Sequence, residues 1–414
     1  MIGFIRHLIY NNRILRWILP IFYYRWNKRY KSQDGFLSGD TIKEYLDNDH
    51  IYTYHKSQSI YFNHPTRTIT SEFVPKQMAF YAGKRFEISA GEVYHFDEAF
   101  LIGPNAVGVT TDGKIILDTA MDLPNVLHKC SPRLLMNYDK LDSELQEDWA
   151  ASLVHLFCNS TYTNYFHWIC DSVLLIEGVR EYEKKVGRKI KLIINDNLTQ
   201  YQREYLEALD YSEEDLIFWK DYRKASIRNL VVVKSRRTGT NMDEIVSSHG
   251  MNWLSKSILS KINVPTQKQS ERVFLTRQHE SCRRITNFNT IEPILRKYNF
   301  QIVNTEGLSV LDQAMLFYNM KVLVAPHGAG LTNMIFSKKL AIIEMIGNVD
   351  NPKDFQWYCA YYSMSQALGH KYAYIIGETV PLLKPDKTKQ IYDLKIDPVE
   401  FENLLIQVLD ESQG

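Results

Sequence analysis

The sequence predicts an α/β protein with two sheet-containing halves and a β-rich portion ahead of them. Three observations support this prediction. From Val154 onward, short apolar runs alternate with amphipathic segments, which is typical of parallel sheets covered by helices. From Glu72 to about Leu123 the apolar runs are short and strand-like. The length of 414 residues also exceeds what a single hydrophobic core usually supports, so we expect two domains.

The individual elements follow from apolar periodicity and from the signals at their ends. Ser309 and Asp312 form a capping-box pattern that marks the start of the last predicted helix. Strands are predicted at 192–195, 230–234, 273–276, 301–303, 322–325, 341–345 and 372–376. Helices are predicted at 165–185, 198–209, 243–262, 289–298 and 309–319.

The β-rich portion contains strand candidates at 93–96, 106–110 and 114–118, and Thr111-Asp-Gly113 predicts a hairpin turn between the last two. A polar break at 263–270 is the best domain boundary. The sequence therefore predicts a separate segment at 1–34, an N-terminal domain at 35–262, a C-terminal domain at 263–395 and a C-terminal helix at 396–414.

The first 33 residues carry seven Lys or Arg side chains and no Asp or Glu. Arginines interrupt the apolar residues every few positions, so no run reaches the roughly 20 residues of a spanning helix. We expect residues 1–31 to lie on an anionic membrane surface, with Trp17 and Trp26 at headgroup depth. The alternative is a helix packed on the protein's own core.

The overall composition limits the class of protein. Subtracting the seven N-terminal charges from the net charge of +1 leaves −6 for the rest of the chain, which argues against nucleic-acid binding. The five cysteines are scattered without zinc spacing and fit a reducing cytoplasm. No G-x-G-x-x-G follows any predicted strand, which argues against a dehydrogenase.

The segment Val322-Leu-Val-Ala-Pro-His-Gly-Ala-Gly-Leu-Thr-Asn333 is the most informative part of the chain. It reads as a buried strand, a tight turn and a helix N-terminus, which is where α/β proteins bind phosphorylated ligands. Gly328 and Gly330 would let the backbone approach a diphosphate, and His327 would donate a hydrogen bond beside it. An ordinary strand–loop–helix junction with a surface histidine is the alternative.

Further motifs surround this turn in a fixed order. They are Arg272-Val-Phe-Leu-Thr-Arg277, Arg283-Arg-Ile-Thr-Asn287, Glu306-Gly-Leu-Ser309 with Asp312-Gln313, Ala341-Ile-Ile-Glu344 and, upstream, Asn164-Tyr-Phe-His-Trp-Ile-Cys-Asp171. The set resembles glycosyltransferase family 61, whose members include bacterial capsular and lipopolysaccharide enzymes. The resemblance implies a GT-B-like fold with two Rossmann-like domains facing a cleft. In such folds a C-terminal helix commonly crosses back to the first domain.

Through this resemblance, most of the motif residues become candidates for binding the nucleotide sugar. Arg277 follows a strand end, so it and Arg284 are candidates for holding phosphate, although Arg283 could take the place of Arg284. Glu344 would bind ribose hydroxyls, and Ser309 is first of all a helix cap. The full set is Arg277, Arg284, Asn287, Glu306, Ser309, Gln313, His327, Gly328, Ala329, Gly330, Leu331, Thr332, Asn333 and Glu344.

His167 and Asp171 are the candidate catalytic residues, because their spacing places them on one face of a helix. Asp171 orients His167, or Asp171 is itself the base; an ordinary helix-surface contact is the alternative. Tyr165 and Trp168 would form a sugar-stacking platform for the acceptor. The family usually continues the Arg-x-Ile-x-Asn motif with acidic residues, whereas this chain has Asn287-Phe-Asn-Thr290, so those positions cannot supply the base.

These features predict an inverting glycosyltransferase that uses a nucleoside diphosphate sugar, most plausibly of uridine, and a surface-glycan acceptor on a lipid carrier. We expect no cofactor and no metal, because no D-x-D triplet is present. We also expect a cytoplasmic protein at the inner face of the membrane. Two alternatives remain: a GT-B-like enzyme that transfers another group such as pyruvyl to a glycan, and a non-catalytic sugar-nucleotide-binding subunit.

Overall fold

A computed structural model describes residues 36–67, 75–119, 139, 142–154, 158–159, 162–219, 224–238, 245–262, 270–347, 359–382 and 392–413. The predicted membrane-surface segment at 1–34 and most of the predicted boundary at 263–270 lie outside these residues. No helix in the described ranges is both long enough and apolar enough to cross a membrane.

The β-rich portion folds mostly as short strands. Its elements are β1 (Phe36–Leu37), α1 (Asp40–Tyr45), a 3₁₀ turn (Asn48–His50), β2 (Ile51–His55), β3 (Gln58–Tyr61), β4 (Thr66–Arg67), α2 (Lys76–Tyr81), β5 (Arg85–Ile88), β6 (Gly91–Phe96), β7 (Ala99–Ile102), β8 (Val107–Thr110), β9 (Ile115–Ile116) and a 3₁₀ turn (Leu117–Thr119).

The first α/β part follows. Its elements are β10 (Leu145–Ser152), β11 (Cys158–Asn159), β12 (Tyr162–Thr163), α3 (Tyr165–His167), a π-helical turn (Trp168–Val173), α4 (Leu175–Val186), β13 (Lys191–Asn195), α5 (Gln200–Ala208), a 3₁₀ turn (Glu213–Asp215), β14 (Leu216–Trp219), β15 (Lys224–Val233), β16 (Arg237–Thr238), β17 (Ile245–Val246) and α6 (Ser248–Leu259).

The second α/β part completes the described chain. Its elements are β18 (Arg272–Leu275), α7 (Phe288–Lys297), β19 (Gln301–Val303), α8 (Val310–Tyr318), β20 (Val322–Pro326), a 3₁₀ helix (Ala329–Phe336), β21 (Ala341–Gly347), α9 (Cys359–Ala367), β22 (Lys371–Pro381), β23 (Tyr392–Lys395) and α10 (Pro398–Gln413).

The first sheet has ten strands and mixed direction. The strands β15, β10, β13 and β14 pair in parallel, as predicted for a Rossmann-like half. On the other side of β15, the strands β6, β7, β8 and β9 extend the sheet in antiparallel pairs. Short connections join β7 to β8 and β8 to β9, and such connections join antiparallel neighbours, since a parallel pair needs a long crossover.

The second sheet is parallel over most of its width. Its order is β19-β18-β20-β21-β22-β23, and only β23 runs antiparallel to its neighbour. Numbered from β18, the strands β18–β22 have the order 2-1-3-4-5 of one common doubly wound sheet. In that arrangement the strand order reverses between β18 and β20, so a crevice opens where these two strands end.

The predicted elements of the two α/β parts are confirmed with small changes. Ser309 caps α8 by accepting a hydrogen bond from the Asp312 amide. The predicted helix 243–262 begins only at Ser248, because Ile245–Val246 pairs with Arg237–Thr238 and Ser247 caps the helix after it. The turn after Gly328 leads into a 3₁₀ helix, and the helix starting at Tyr165 is interrupted by the π-helical turn.

The two sheets share one continuous hydrophobic core, which includes Trp168 and Val233 from the first and Phe274 and Ile343 from the second. The strand β4, which precedes the first α/β part in sequence, pairs in parallel with β22. α10 packs on α7 and on the strands β21 and β22 of the second sheet. The domain limits themselves stay predictions.

A chain of side-chain hydrogen bonds joins the two parts. The Tyr165 hydroxyl donates to Asn333 Oδ1 at 2.6 Å, and Tyr205 donates to the Tyr165 oxygen at 2.8 Å, since one hydroxyl carries one proton. Asn333 Nδ2 donates to Gln313 Oε1 at 2.8 Å. The side chain of Glu204 accepts from the Val310 amide at the start of α8, at 2.7 Å. These contacts fix the turn at Asn333 relative to α3 and α5.

Replacing Tyr165 with Phe should lower the free energy of unfolding by about 1–3 kcal/mol, because the fully buried Asn333 loses that donor. Urea denaturation would measure the change. Tyr61→Phe is the control, since the Tyr61 side chain is exposed, and it should change stability by less than about 0.5 kcal/mol. Equal values for the two variants would show that the hydrogen-bond chain adds no stability.

Candidate active site

Arg277 and the turn after β20 meet at the crevice between β18 and β20. A Cβ added to Gly328 would lie 2.6 Å from Arg277 Nη1, so the guanidinium group lies directly against this glycine. Arg277 Nε donates to the Cys282 carbonyl at 3.3 Å, which holds the side chain in the crevice. Burial lowers the pKa of Arg277, and the charge of Arg283 adds to this effect. The predicted meeting of Arg277 with this turn is found in the structure.

His327 is held by a buried carboxylate. Its Nδ1 lies 2.5 Å from Glu344 Oε1, and the Tyr372 hydroxyl donates to Glu344 Oε2 at 2.5 Å. Burial lowers the pKa of His327, against the effect of Glu344, so the ring is neutral at pH 7. A neutral ring that donates from Nδ1 carries its lone pair on Nε2.

The ribose-binding prediction requires Glu344 to lie at the mouth of the crevice, and Glu344 does not lie there. Its side chain is fully buried, and both carboxylate oxygens contact protein groups. The reason is that β21 continues to Gly347, three residues beyond Glu344. Glu344 therefore positions His327.

Of the two adjacent arginines, the structure places Arg283 at the crevice. Arg284 pairs with Asp393, at 2.7 Å from Nη2 to Oδ2 and 3.0 Å from Nε to Oδ2. Arg283 has a left-handed backbone, with φ of 58°, and its charge lowers the pKa of both Arg277 and His327. Its buried Nε has no hydrogen-bond partner among the described residues. The prediction for Arg284 is thus corrected in favour of its neighbour.

Four other candidates for nucleotide binding hold the backbone together. Asn287 Nδ2 donates to the Ile396 carbonyl at 2.7 Å, and Asn287 Oδ1 accepts from the Ile396 amide at 3.0 Å. The Gln313 side chain donates to the Leu308 carbonyl and accepts from Asn333. These contacts, with the cap at Ser309, place Asn287, Ser309, Gln313 and Asn333 in the framework around the crevice.

The remaining candidates differ in exposure. Glu306 is exposed in the loop before α8, where its amide donates to Asn304 Oδ1 at 3.0 Å. Leu331 and Thr332 are buried. Ala329 and Gly330 are partly exposed at the start of the 3₁₀ helix. The side chain at Glu306 and the backbone of Ala329 and Gly330 are therefore the accessible members of this group.

His167 and Asp171 form the predicted pair, and a third residue joins them. His167 Nδ1 lies 2.6 Å from Asp171 Oδ2. Arg237 Nη1 donates to both oxygens of Asp171, at 2.7 and 2.8 Å. The Asp171 and Arg237 side chains are only 4% and 10% exposed. Sequence reasoning missed Arg237, because it lies 66 residues from Asp171 in a segment without a recognisable motif.

An aromatic ring connects this pair with the crevice. The Tyr361 ring lies 5.2 Å from the His327 ring and 5.8 Å from the Phe166 ring, and the Phe166 ring lies 5.5 Å from the His167 ring. Arg237 also lies over the Phe166 ring, at 5.3 Å. His167 and His327 are therefore separated by only two side chains, although they come from the two different halves.

The Trp168 part of the predicted stacking platform is not available to an acceptor. Trp168 is fully buried in the core, and the π-helical turn that begins at Trp168 places this ring inward. Tyr165 is partly exposed, and its hydroxyl is used in the hydrogen-bond chain to Asn333. Trp168 therefore supports the site from within.

A second polar cluster, which the sequence did not predict, lies between α4 and α6. The fully buried Glu177 has Oε2 3.4 Å from Arg236 Nη2 and Oε1 2.7 Å from His249 Nδ1. Burial raises the pKa of Glu177 to about 7, although Arg236 acts in the opposite direction. The cavity beside it has a volume of about 350 Å³ and is lined by Tyr54, Glu177, Glu181, His249, Asn252, Trp253 and Lys256.

A family model matches the part of the chain that carries most of the candidate site. Residues 165–343 match the family model described as Glycosyltransferase 61. This range contains both the His167–Asp171 pair and the crevice with Arg277 and His327. The match supports glycosyltransferase family 61 and a glycosyltransferase activity, with a sugar donor and a glycan acceptor as its ligands. No curated protein matches the sequence.

Glu177 should make stability depend on pH. Because its pKa rises from 4.5 to about 7 on folding, its contribution is complete below pH 4.5 and is lost as the pH rises to 7. Glu177→Gln removes this dependence, so the variant should gain up to about 3 kcal/mol relative to the wild type between those pH values. Urea denaturation of both proteins across this range would measure the difference, and parallel stability curves would contradict it.

Proposed function

We propose that this protein is an inverting, metal-independent glycosyltransferase with a GT-B-like arrangement of its two halves. It moves a sugar from a nucleoside diphosphate donor, most plausibly of uridine, to a surface-glycan acceptor in polysaccharide biosynthesis. The observation that carries the proposal is the crevice where Arg277, Arg283 and His327 meet, at the point where the strand order reverses. Doubly wound folds bind nucleotides at this position.

The donor side of the site must stabilise a leaving diphosphate. Two guanidinium groups, Arg277 and Arg283, provide positive charge and hydrogen-bond donors in the geometry that phosphate oxygens accept. Their partial burial strengthens the attraction, because water screens it less. The two arginines thus supply the charge that a divalent ion supplies in other transferases, and for this reason we favour a metal-independent reaction.

The acceptor side requires a base, and His167 is the better candidate of the predicted pair. Both oxygens of Asp171 are hydrogen-bonded, to His167 and to Arg237, so Asp171 is suited to orienting the ring. In the proposed step, His167 Nε2 takes the proton of the acceptor hydroxyl as its oxygen bonds to the anomeric carbon. The bond from that carbon to the diphosphate breaks on the opposite face, which inverts the configuration.

The acceptor and the location remain part of the proposal. A basic segment at 1–31 would hold the enzyme on the anionic inner face of the cytoplasmic membrane, where a lipid-linked glycan is presented. Because this segment lies outside the described residues, the support is its sequence alone.

Donor binding can be tested by thermal shift with a panel of nucleoside diphosphate sugars. A uridine diphosphate sugar should raise the melting temperature of the wild type. Gly328→Ala should weaken its binding at least tenfold, about 1.4 kcal/mol, because the new Cβ would displace the Arg277 guanidinium. His327→Ala should also weaken it.

Gly250→Ala is the matched control, since Gly250 lies in α6 outside the crevice and the nearest atom to its added Cβ, Arg236 Nε, lies at 3.4 Å, an ordinary contact. Equal affinity in the two glycine variants would place the diphosphate elsewhere. If no nucleotide sugar binds the wild type and phosphoenolpyruvate does, pyruvyl transfer replaces the proposal.

The base can be tested through turnover at fixed donor occupancy. His167→Ala and Asp171→Asn should lower kcat for transfer by about 10²–10⁴-fold, as expected when general-base catalysis is lost. The donor Kd should stay within about twofold of the wild type, because neither residue lies in the crevice. Turnover near the wild-type value in His167→Ala would exclude His167 as the base, and binding without turnover in every protein would indicate a non-catalytic subunit.

A further inference from the structure

Two histidines and an aspartate converge on the first sheet, outside the residues assigned to glycosyl transfer. His50 ends the 3₁₀ turn before β2, His95 lies in β6, and Asp97 follows β6. His50 Nε2 lies 3.1 Å from Asp97 Oδ2, and His95 Nε2 lies 3.8 Å from Asp97 Oδ1. One ligand atom from each residue lies within 4.8 Å of the others. Nitrogen and carboxylate donors at such spacing can bind one ion.

A fourth donor atom faces the same point. Asn229 Oδ1 lies 3.0 Å from His95 Nε2. The orientation of this amide is fixed, because its Nδ2 donates to Asp148 Oδ1 at 3.1 Å. The oxygen of Asn229 is therefore held toward the histidines, and Asp148 supports it from behind.

We propose that His50, His95 and Asp97 bind a Zn²⁺ ion, with the side-chain oxygen of Asn229 or a water molecule as the fourth ligand. Zinc binds imidazole nitrogen and carboxylate oxygen at about 2.0–2.2 Å in a tetrahedron, so neighbouring donors stand about 3.3 Å apart. The distances of 3.1 Å from His50 Nε2 to Asp97 Oδ2 and of 3.8 Å from His95 Nε2 to Asp97 Oδ1 are within about half an ångström of this spacing, and the ligand atoms of the two histidines lie within 4.8 Å of each other. Imidazole ligands favour zinc over magnesium or calcium.

The surroundings of His95 suit a metal ligand. Its ring stacks on Trp149 with centroids 5.0 Å apart, which fixes its orientation. The nearby Lys185 opposes the ion, but its ammonium group is directed to the Asp49 carbonyl and over the Tyr52 and Tyr182 rings.

Such an ion would connect three separate pieces of the chain: the turn before β2, the β6–β7 connection and β15. Binding to the folded state alone would stabilise it by mass action. The site shares no residue with the crevice or with the His167–Asp171 pair. It therefore has a structural role, and it is compatible with a metal-independent transfer reaction.

The test uses the full-length chain, freed of any affinity tag and treated with a chelator. Zn²⁺ should raise the melting temperature of the wild type, and Co²⁺ should give the visible absorption of a four-coordinate site with one ion per chain. His95→Ala and Asp97→Asn should each weaken binding at least tenfold. His64→Ala is the matched control, because His64 is exposed and outside the cluster, and it should bind like the wild type.

Asp97→Asn keeps the interpretation clear, since the Asp97 side chain is 75% exposed and its loss should not unfold the protein. An unchanged metal affinity in this variant, or no saturable binding by the wild type, would overturn the proposal. Binding of nucleotide sugars should be the same in all these variants, so the result is independent of the proposed transferase activity.

Discussion

The close approach of the Arg277 guanidinium group to Gly328 sets the geometry of the crevice on which the site depends. The strand order of the second sheet makes β18 and β20 neighbours, and their following segments carry Arg277 and Gly328 to the same place. The backbone of Gly328 is extended, with φ of 174°, a conformation open to any residue. Glycine is required there for space, because any side chain would displace the arginine.

A buried negative charge supports the other side of the crevice. An ionised carboxylate without partners would be very costly inside a protein, and Glu344 has two partners in His327 and Tyr372. This arrangement places a neutral histidine beside two arginines, so the crevice gains a polar group without a third positive charge. Glu344 was predicted to bind ribose. In the structure it acts instead through His327, which it holds in place.

The sequence predicted those parts of the structure that depend on local patterns. Apolar runs predicted the strands β18–β22 of the second sheet to within about five residues, but not β4 or β23, and Ser309 predicted the start of α8. Periodicity reports which side of a segment is buried, but not which segment covers it. For this reason the pairing of β4 with β22 and the ion pair of Asp171 with Arg237 were missed. Arg283 and Arg284 show the same limit, since Arg284 pairs with Asp393, which lies 109 residues away in sequence.

Two pairings of histidine Nδ1 with a carboxylate, His327 with Glu344 and His167 with Asp171, form the candidate site, and the second partner of each carboxylate distinguishes them. Glu344 has a neutral tyrosine as its second partner, whereas Asp171 has the charged Arg237. Near His327, the positive charge is that of Arg277 and Arg283, which would face the diphosphate. Beside His167, the positive charge is that of Arg237, which is bound by Asp171. His167 is therefore the group that exchanges a proton in the proposed reaction. Because Tyr361 and Phe166 lie between the two histidines, the packing that joins the two halves also sets the distance between leaving group and base.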